Sequence, residues 1–504
     1  MRRFVVAVLA APFLIVPFSS PAAAACARVP SDFNGDGYGD VAIGAPRAHD
    51  PVYDVNWQGV VHVAYGSAAG VGKGAQANAS FRGSTAGLPR FRFTGSERLG
   101  ESLASGYFDG DCYADLAVSA ASGSDMLVLY GSAAGLTVDR SAGFDRTAIQ
   151  PEGEYGSGFS SDITTGDFDG DGFDDIAAGA PWTDANAGAF GVLYGSATGI
   201  TNAGAQWIDQ DSASVPGAAE ADDGFGTALA AGDFNGDGRD DLAVGAPGEA
   251  LGTLYGAGGL IVFPGTAAGL GTAGSTWWDQ DSAGVPGGAE YLDRFGVSLT
   301  AGDTTGDGRE ELFVGVPSES IGTKDSAGML QIFRGAASGL VAGSAYNQDD
   351  AQIPGDAEAG DQFGGSLGLA DLNRDGRLDL AVGAPGEWAG TVDGNGAINV
   401  LFSTTAGPTP AGSVYIDQNS AGVPGDNEDL DAFGWSLGRV ANAYGGDTLS
   451  VSANDEKVTY SREGAVTLLP GAPAGQARPA GYFFSGANFP AGAAAEANFG
   501  AGLS

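Results

Sequence analysis

From about residue 30 onward, short apolar phrases alternate with glycine-rich polar ones, and the same order returns along the chain. One round reads FGTALAAG at 225–232, an acidic stretch DFNGDGRDD at 233–241, DLAVGAP at 241–247, and then a run like GAFGVLYGS (188–196) or GMLQIFRGA (328–336). A fourth run precedes the next FG phrase, as in QWIDQ at 206–210, TWWDQ at 276–280, AYNQD at 345–349 and VYIDQ at 414–418. The runs are brief, rich in Val, Leu, Ile, Phe and Tyr, and stop at glycine, which is the pattern of strands and not of helices. Six acidic segments mark the period: DFNGDGYGD (32–40), YFDGDCYAD (107–115), DFDGDGFDD (167–175), DFNGDGRDD (233–241), DTTGDGREE (303–311) and DLNRDGRLD (371–379). Their starts lie 75, 60, 66, 70 and 68 residues apart, the length of a four-stranded propeller blade.

A seventh round begins at FGWSLGRV (433–440) and continues with GAVTLLPG (464–471), but NAYGGDTLSVSAN at 442–454 has lost the acidic spacing and is expected to hold no metal. The FG-equivalent starts are Leu99, Phe159, Phe225, Phe295, Phe363, Phe433 and Phe499. The first acidic loop has no FG phrase before it, while NFGAGLS at 498–504 is such a phrase with nothing after it. We therefore expect an all-β fold, a seven-bladed β-propeller of four-stranded blades, in which residues 499–504 join the N-terminal blade and close the ring, removing two sheet edges.

In the first acidic loop the oxygens of Asp32, Asn34 and Asp36 fall at every second residue, the carbonyl of Tyr38 follows, and Asp40 closes the set. Hard oxygen donors at this spacing, with glycines allowing a tight turn, suit Ca²⁺. The same positions are Asp167, Asp169, Asp171, Phe173 and Asp175 in the third loop, and Asp233, Asn235, Asp237, Arg239 and Asp241 in the fourth. They are Asp371, Asn373, Asp375, Arg377 and Asp379 in the sixth. Two loops are weaker candidates. The second has Tyr107 in first place and keeps Asp109, Asp111 and Asp115; the fifth reads Asp303, Thr305, Asp307, Arg309 and Glu311. Four firm calcium sites and two weaker ones are the expectation.

FG phrase, acidic loop and GAP in this order resemble the FG-GAP repeat of the integrin alpha-chain N-terminal propeller and of many bacterial secreted proteins. The resemblance runs over nearly all of the chain after the N-terminal segment. It implies a seven-bladed propeller with Ca²⁺ between the first and second strands of a blade, and partner binding on the face opposite those loops. That face would carry Glu220, Glu290, Glu358 and Glu428 from four similar Pro- and Gly-containing connections, together with longer loops holding Tyr53, Trp57 and Tyr255.

Charge and composition narrow the function classes. With 62 acidic against 22 basic residues, the net charge of −40 disfavours nucleic acid and anionic membranes. Residues 1–25 combine two arginines, an apolar run broken by Pro12 and Pro17, and small residues, which reads as a secretory signal and not as a membrane anchor; residues 26–504 are then one propeller. A secreted or cell-surface location follows. The two cysteines, Cys26 and Cys112, can pair outside the cell, and lipidation or removal of Cys26 are the alternatives. GGSLG (364–368) and GWSLG (434–438) spell a hydrolase elbow but fall inside FG strands with no helix after them, and only His49 and His62 are present. The expected role is a calcium-stabilised extracellular binding or adhesion module for a protein or glycan; a hydrolase on polysaccharide or lipid, or a structural matrix component, are the alternatives.

Overall fold

The computed structural model describes residues 28–49, 57–89, 98–120, 125–150, 156–388, 392, 394–442, 446–458, 462–473, 476, 480–490 and 497–504. The expected signal segment, Cys26 and Tyr53 lie outside them.

The apolar phrases form seven antiparallel sheets whose strand order follows the sequence. Blade 4 is typical, running from Leu229–Gly232 to Asp241–Ala246, Gly259–Phe263 and Thr276–Trp278. Second and third strands are buried along their whole length in blades 2 to 6, apart from a partly exposed end on the third strand of blade 5. Each sheet has a neighbour on both faces, so these strands have continuous apolar runs and no alternation. Seven hydrophobic clusters fill the gaps between successive blades. Between blades 3 and 4, for example, Phe190, Phe225 and Phe263 meet with ring centroids 5.2–6.2 Å apart. Each such ring withdrawn from water stabilises the fold by roughly 1.5–3 kcal/mol.

Blade 1 has Val41–Ala45, Val60–Ala64 and Ala79–Arg82 as its second, third and fourth strands, and its first strand comes from the other end of the chain. Ala42 N donates to Ser504 O at 2.9 Å, Ser504 N to Ala42 O at 3.2 Å, and Gly44 N to Gly502 O at 2.8 Å, with Leu503 antiparallel to Ile43. Phe499 packs with Ile43, Val60, Val466 and Phe484 in the cluster joining blades 7 and 1. The ring closes as the two chain ends foretold.

The FG and GAP phrases owe their glycines to backbone contact between blades. Gly226 has a φ of 88°, and its N–H donates to Gly245 O of its own blade at 2.9 Å. Its carbonyl oxygen lies against Gly179 of the preceding blade, where an added Cβ would sit only 2.0 Å away. The same approach recurs between Gly245 and Gly296. A side chain at either place would push two blades apart.

Candidate metal centres and the opposite face

In blades 2 to 6 the acidic phrase links the first two strands, and in blade 1 it leads into the second, so all of them emerge on one face of the ring. In the third loop Asp167 begins the turn by accepting from Gly170 N (2.8 Å), Asp171 N (3.0 Å) and Gly172 N (3.0 Å). Asp169 and Asp171 accept from the backbone two residues on, each at 3.0 Å. Oxygens of Asp167, Asp169 and Asp175 converge to within 4.8 Å of one another. The first loop repeats these bonds with Asp32, Asn34 and Asp36. Among the described residues, no Lys or Arg forms an ion pair with the aspartates at the first, third, fifth and ninth positions of these two loops.

The ninth position stitches the loop to its own sheet. Asp175 accepts from Phe168 N and from Gly195 N at the end of the third strand, both at 2.9 Å. Asp40, Asp115, Asp241 and Asp379 hold Gly66, Gly131, Gly265 and Ser403 in the same way. Burial pushes Asp40, Asp115 and Asp175 up to about 8, although the backbone N–H groups pull the other way. Glu311, one methylene longer, accepts instead from Thr304 N (3.0 Å) and its hydroxyl (2.6 Å).

The remaining loops differ in how their charge is met. In the fourth, fifth and sixth, the arginine at position seven approaches the aspartate at position five: Arg239 to Asp237 (3.7 Å), Arg309 to Asp307 (3.4 Å) and Arg377 to Asp375 (3.5 Å). Thr305 adds only a 3.3 Å bond to Asp303. Asn235 and Asn373 turn their amides onto Asp241 and Asp379. In the second loop, where tyrosine replaces the first aspartate, Tyr107 donates its hydroxyl to Val29 O at 2.8 Å. Arg140, from the outer strand Thr137–Asp145, reaches Asp109 at 2.7 Å and Asp111 at 3.4 Å. Cys112 in this loop is disulfide-bonded; its expected partner Cys26 lies outside the described residues.

Sequence reading missed two features here. Arg140 lies 25 residues beyond its loop, on another strand, and nothing local points to it. The eighth-position acids tie one blade's loop to the next: Asp174, Asp240, Glu310 and Asp447 accept from Tyr107 N, Asp167 N, Asp233 N and Asp371 N at 2.5–2.9 Å. Asp447 shows that the degenerate seventh loop, although stripped of the acidic spacing, keeps this link; Arg439 binds the same carboxylate at 2.7 Å. A carboxylate at the same place in four of seven rounds was the available signal.

The opposite face carries the blade-to-blade connections and the loops between second and third strands. Trp182 (48% exposed), Tyr255 (47%), Tyr291 (63%) and Trp388 (51%) stand there, with Tyr255 and Tyr291 ring centroids 6.4 Å apart. Trp57 is also exposed. A cleft of about 310 Å³ between blades 3, 4 and 5 is lined by Trp182, Asp223, Tyr255, Leu292 and Arg294. The four expected glutamates occupy equivalent places, each beside a buried aspartate three residues on: Asp223, Asp293, Asp361 and Asp431. Elsewhere, Ser366 of GGSLG is buried and donates to Gly434 O (2.6 Å), and buried His62, lowered to about 3 by desolvation, bonds Ser80 at 2.9 Å.

The FG-GAP repeat family matches the chain at residues 29–63, 159–194, 225–263, 295–333 and 363–417. This is an FG-GAP repeat propeller. Blades 2 and 7 of the FG-GAP ring fall outside the matched stretches. They are also the blades with Leu99 in place of phenylalanine and with the degenerate loop, yet their sheets are complete. The FG-GAP chain is 30% identical over 303 residues to integrin alpha pat-2 of Caenorhabditis briggsae, covering 55% of this chain and 22% of that one. It is 28% identical over 261 residues to the phosphatidylinositol-glycan-specific phospholipase D of Dictyostelium discoideum, covering 49% and 27%. The chain thus spans about a quarter of these relatives' lengths. Among solved structures, the Dos1 propeller has a TM-score of 0.35 and 13% identity over 78% of this chain and 69% of that one.

Proposed function

We propose that this FG-GAP propeller is an exported, calcium-stabilised binding or adhesion module that takes an extracellular protein or glycan on the face opposite its acidic loops. The observation that carries the reading is the set of exposed aromatic rings around the cleft between blades 3, 4 and 5. Rings held on a rigid scaffold lose little entropy on binding and supply large contact area, to a sugar face or to a protein. The integrin alpha relatives agree with an adhesive role, and the strongly acidic surface favours partners with basic groups.

Calcium fits the loops. The third presents three converging carboxylates and the first an alternating set of the same kind. In both, among the described residues, no Lys or Arg forms an ion pair with the first, third, fifth or ninth side chain. In the second a guanidinium stands beside the converging carboxylates. The first, third, fourth and sixth loops would hold the ion through their first, third, fifth and ninth side chains and the seventh carbonyl; the fifth, with Thr305 and Glu311, would hold it less tightly. When bound, the ion neutralises the clustered carboxylates and locks the turn. The second loop, already neutralised by Arg140, would hold it weakest.

The test is a glycan and matrix-protein binding screen in calcium, followed by titration of the hits with Trp182→Ala/Tyr255→Ala. Loss of affinity by about 10-fold or more, the scale of a hot-spot residue, with an unchanged melting temperature, supports the reading. Hits that bind the variant as well as the parent would place recognition elsewhere.

A further inference from the structure

Four junctions, between blades 3 and 4, 4 and 5, 5 and 6, and 6 and 7, repeat one side-chain arrangement on the face away from the acidic loops. A glutamine at the end of one blade's outer strand donates its amide to a glutamate from the next blade: Gln210 to Glu249 (3.0 Å), Gln280 to Glu319 (2.7 Å), Gln348 to Glu387 (2.6 Å) and Gln418 to Glu456. The connection between the two blades adds a second glutamate and the buried aspartate that accepts its N–H, Glu220 with Asp223 and Glu358 with Asp361 among them. At the 3/4 and 5/6 junctions the three carboxylates bring oxygens to within 4.8 Å of one another.

Protein cations offset little of this charge. Among the described residues, no Lys or Arg forms an ion pair with any of the twelve carboxylates, and Lys324, the base nearby at the 5/6 junction, is held by Asp349 at 2.9 Å. The glutamines supply an independent observation. Gln210 and Gln348 are each 1% exposed, their amides abut the cluster, and in all four glutamines the side-chain oxygen is buried without a hydrogen-bond partner. Asp361 likewise has a buried oxygen with no donor. An orphaned buried acceptor is destabilising, and here the same defect recurs at four places in one chain. Carboxylates and an unsatisfied amide oxygen are acceptors only, so what is missing is electropositive. Turning the amide by about 180°, an assignment that exchanges its O and N ends, aims the orphaned oxygen at the carboxylates.

We propose that the 3/4 and 5/6 junctions are a second class of calcium site, formed by Gln210, Glu220, Asp223 and Glu249, and by Gln348, Glu358, Asp361 and Glu387. Three carboxylates and an amide oxygen form a hard, oxygen-only donor set, and exposed Glu220 and Glu358 leave one side open for the water ligands Ca²⁺ retains. The ligands come from an outer strand, a connection and the following blade, so the ion clamps blade to blade. The acidic-loop sites, by contrast, each lie within one phrase. The 4/5 and 6/7 junctions carry the same residue types in a looser arrangement.

The experiment is a count of bound calcium on the full FG-GAP ring by equilibrium dialysis and metal analysis. It compares wild type, Glu249→Gln/Glu387→Gln, and the loop variant Asp32→Ala/Asp169→Ala. The junction variant should bind about two fewer ions per chain, one for each removed ligand set, while the loop variant keeps the junction ions. An unchanged count in a folded junction variant overturns the proposal without touching the loop sites; loss in the loop variant alone separates the two readings. If the junction variant does not fold, anomalous difference maps of wild-type crystals soaked in Tb³⁺ decide: peaks beside Gln210 and Gln348 support the site, and their absence overturns it.

Discussion

The loops at 107–115 and 167–175 occupy the same place in adjacent blades and meet the same clustering of carboxylates differently. Both bury a ninth-position aspartate and converge three carboxylates to within 4.8 Å. In the second loop the first aspartate has become Tyr107, whose ring lies under Arg28 and whose hydroxyl ties the N-terminal segment down, and Arg140 takes up Asp109 and Asp111. The third loop keeps every carboxylate and has phenylalanine at position seven; Arg28 pairs with Asp174 at position eight, but among the described residues no Lys or Arg forms an ion pair with its aspartates at positions one, three, five and nine. A covalently attached guanidinium is always at hand; a calcium ion is present only at sufficient concentration. If the third loop takes calcium as proposed, one blade is stabilised unconditionally, and its neighbour conditionally on the medium.

The largest expected effect separates the two directly. Each filled loop, at calcium about 100-fold above its dissociation constant, adds about 2.7 kcal/mol to the folded state. Differential scanning calorimetry should show a marked fall in melting temperature on chelation, and Asp169→Ala should abolish the third loop's share of it. Asp111→Ala should leave the calcium dependence nearly intact, since Arg140 already serves that loop. Equal calcium dependence in the two variants would erase the distinction.

Next in size is the effect of removing the guanidinium. Arg140→Gln strands the buried carboxylate of Asp109, at a cost of about 1–3 kcal/mol in chelator. Calcium should restore part of that loss, as read from urea melts with and without the ion, because the second loop then resembles the third. A variant equally stable in both media and equal to wild type would show that Arg140 is a surface ornament.

Smallest is a pH effect in chelator. Burial raises Asp40, Asp115 and Asp175 to about 8 in the folded protein, against about 3.9 for an unfolded aspartate. A raised carboxylate gives stability that is full below the unfolded value and lost as pH climbs through the folded one. The chelated protein should therefore melt lower at pH 8.5 than at pH 5, while the increment from calcium grows over the same range because the ion needs ionised ligands. A chelated melting temperature flat across that window would contradict this burial effect.

Much of this protein was legible one phrase at a time. Strand phrases ending at glycine, a period of 60–75 residues and complementary chain ends sufficed for the seven blades and for the strand formed by residues 499–504. The loop residues from Asp32 to Asp40, and their counterparts, were readable because all the donors of one loop lie within nine residues. What was not legible, ring closure apart, was which side chains far apart in sequence meet. Arg140 on Asp109, Asp447 on Asp371 N, Glu249 on Gln210 and the cluster of Trp182 with Tyr255 and Tyr291 above the cleft are all of this kind.

The division has a physical basis. Local backbone geometry, set by glycine, by alternating aspartates and by apolar runs, acts over a few residues and is written in their order. Which carboxylate meets a guanidinium, which meets an orphaned amide and which is left for an ion depends on how neighbouring blades face each other. That facing is settled only when the seven hydrophobic clusters lock the ring and bring residues from successive blades within hydrogen-bonding distance.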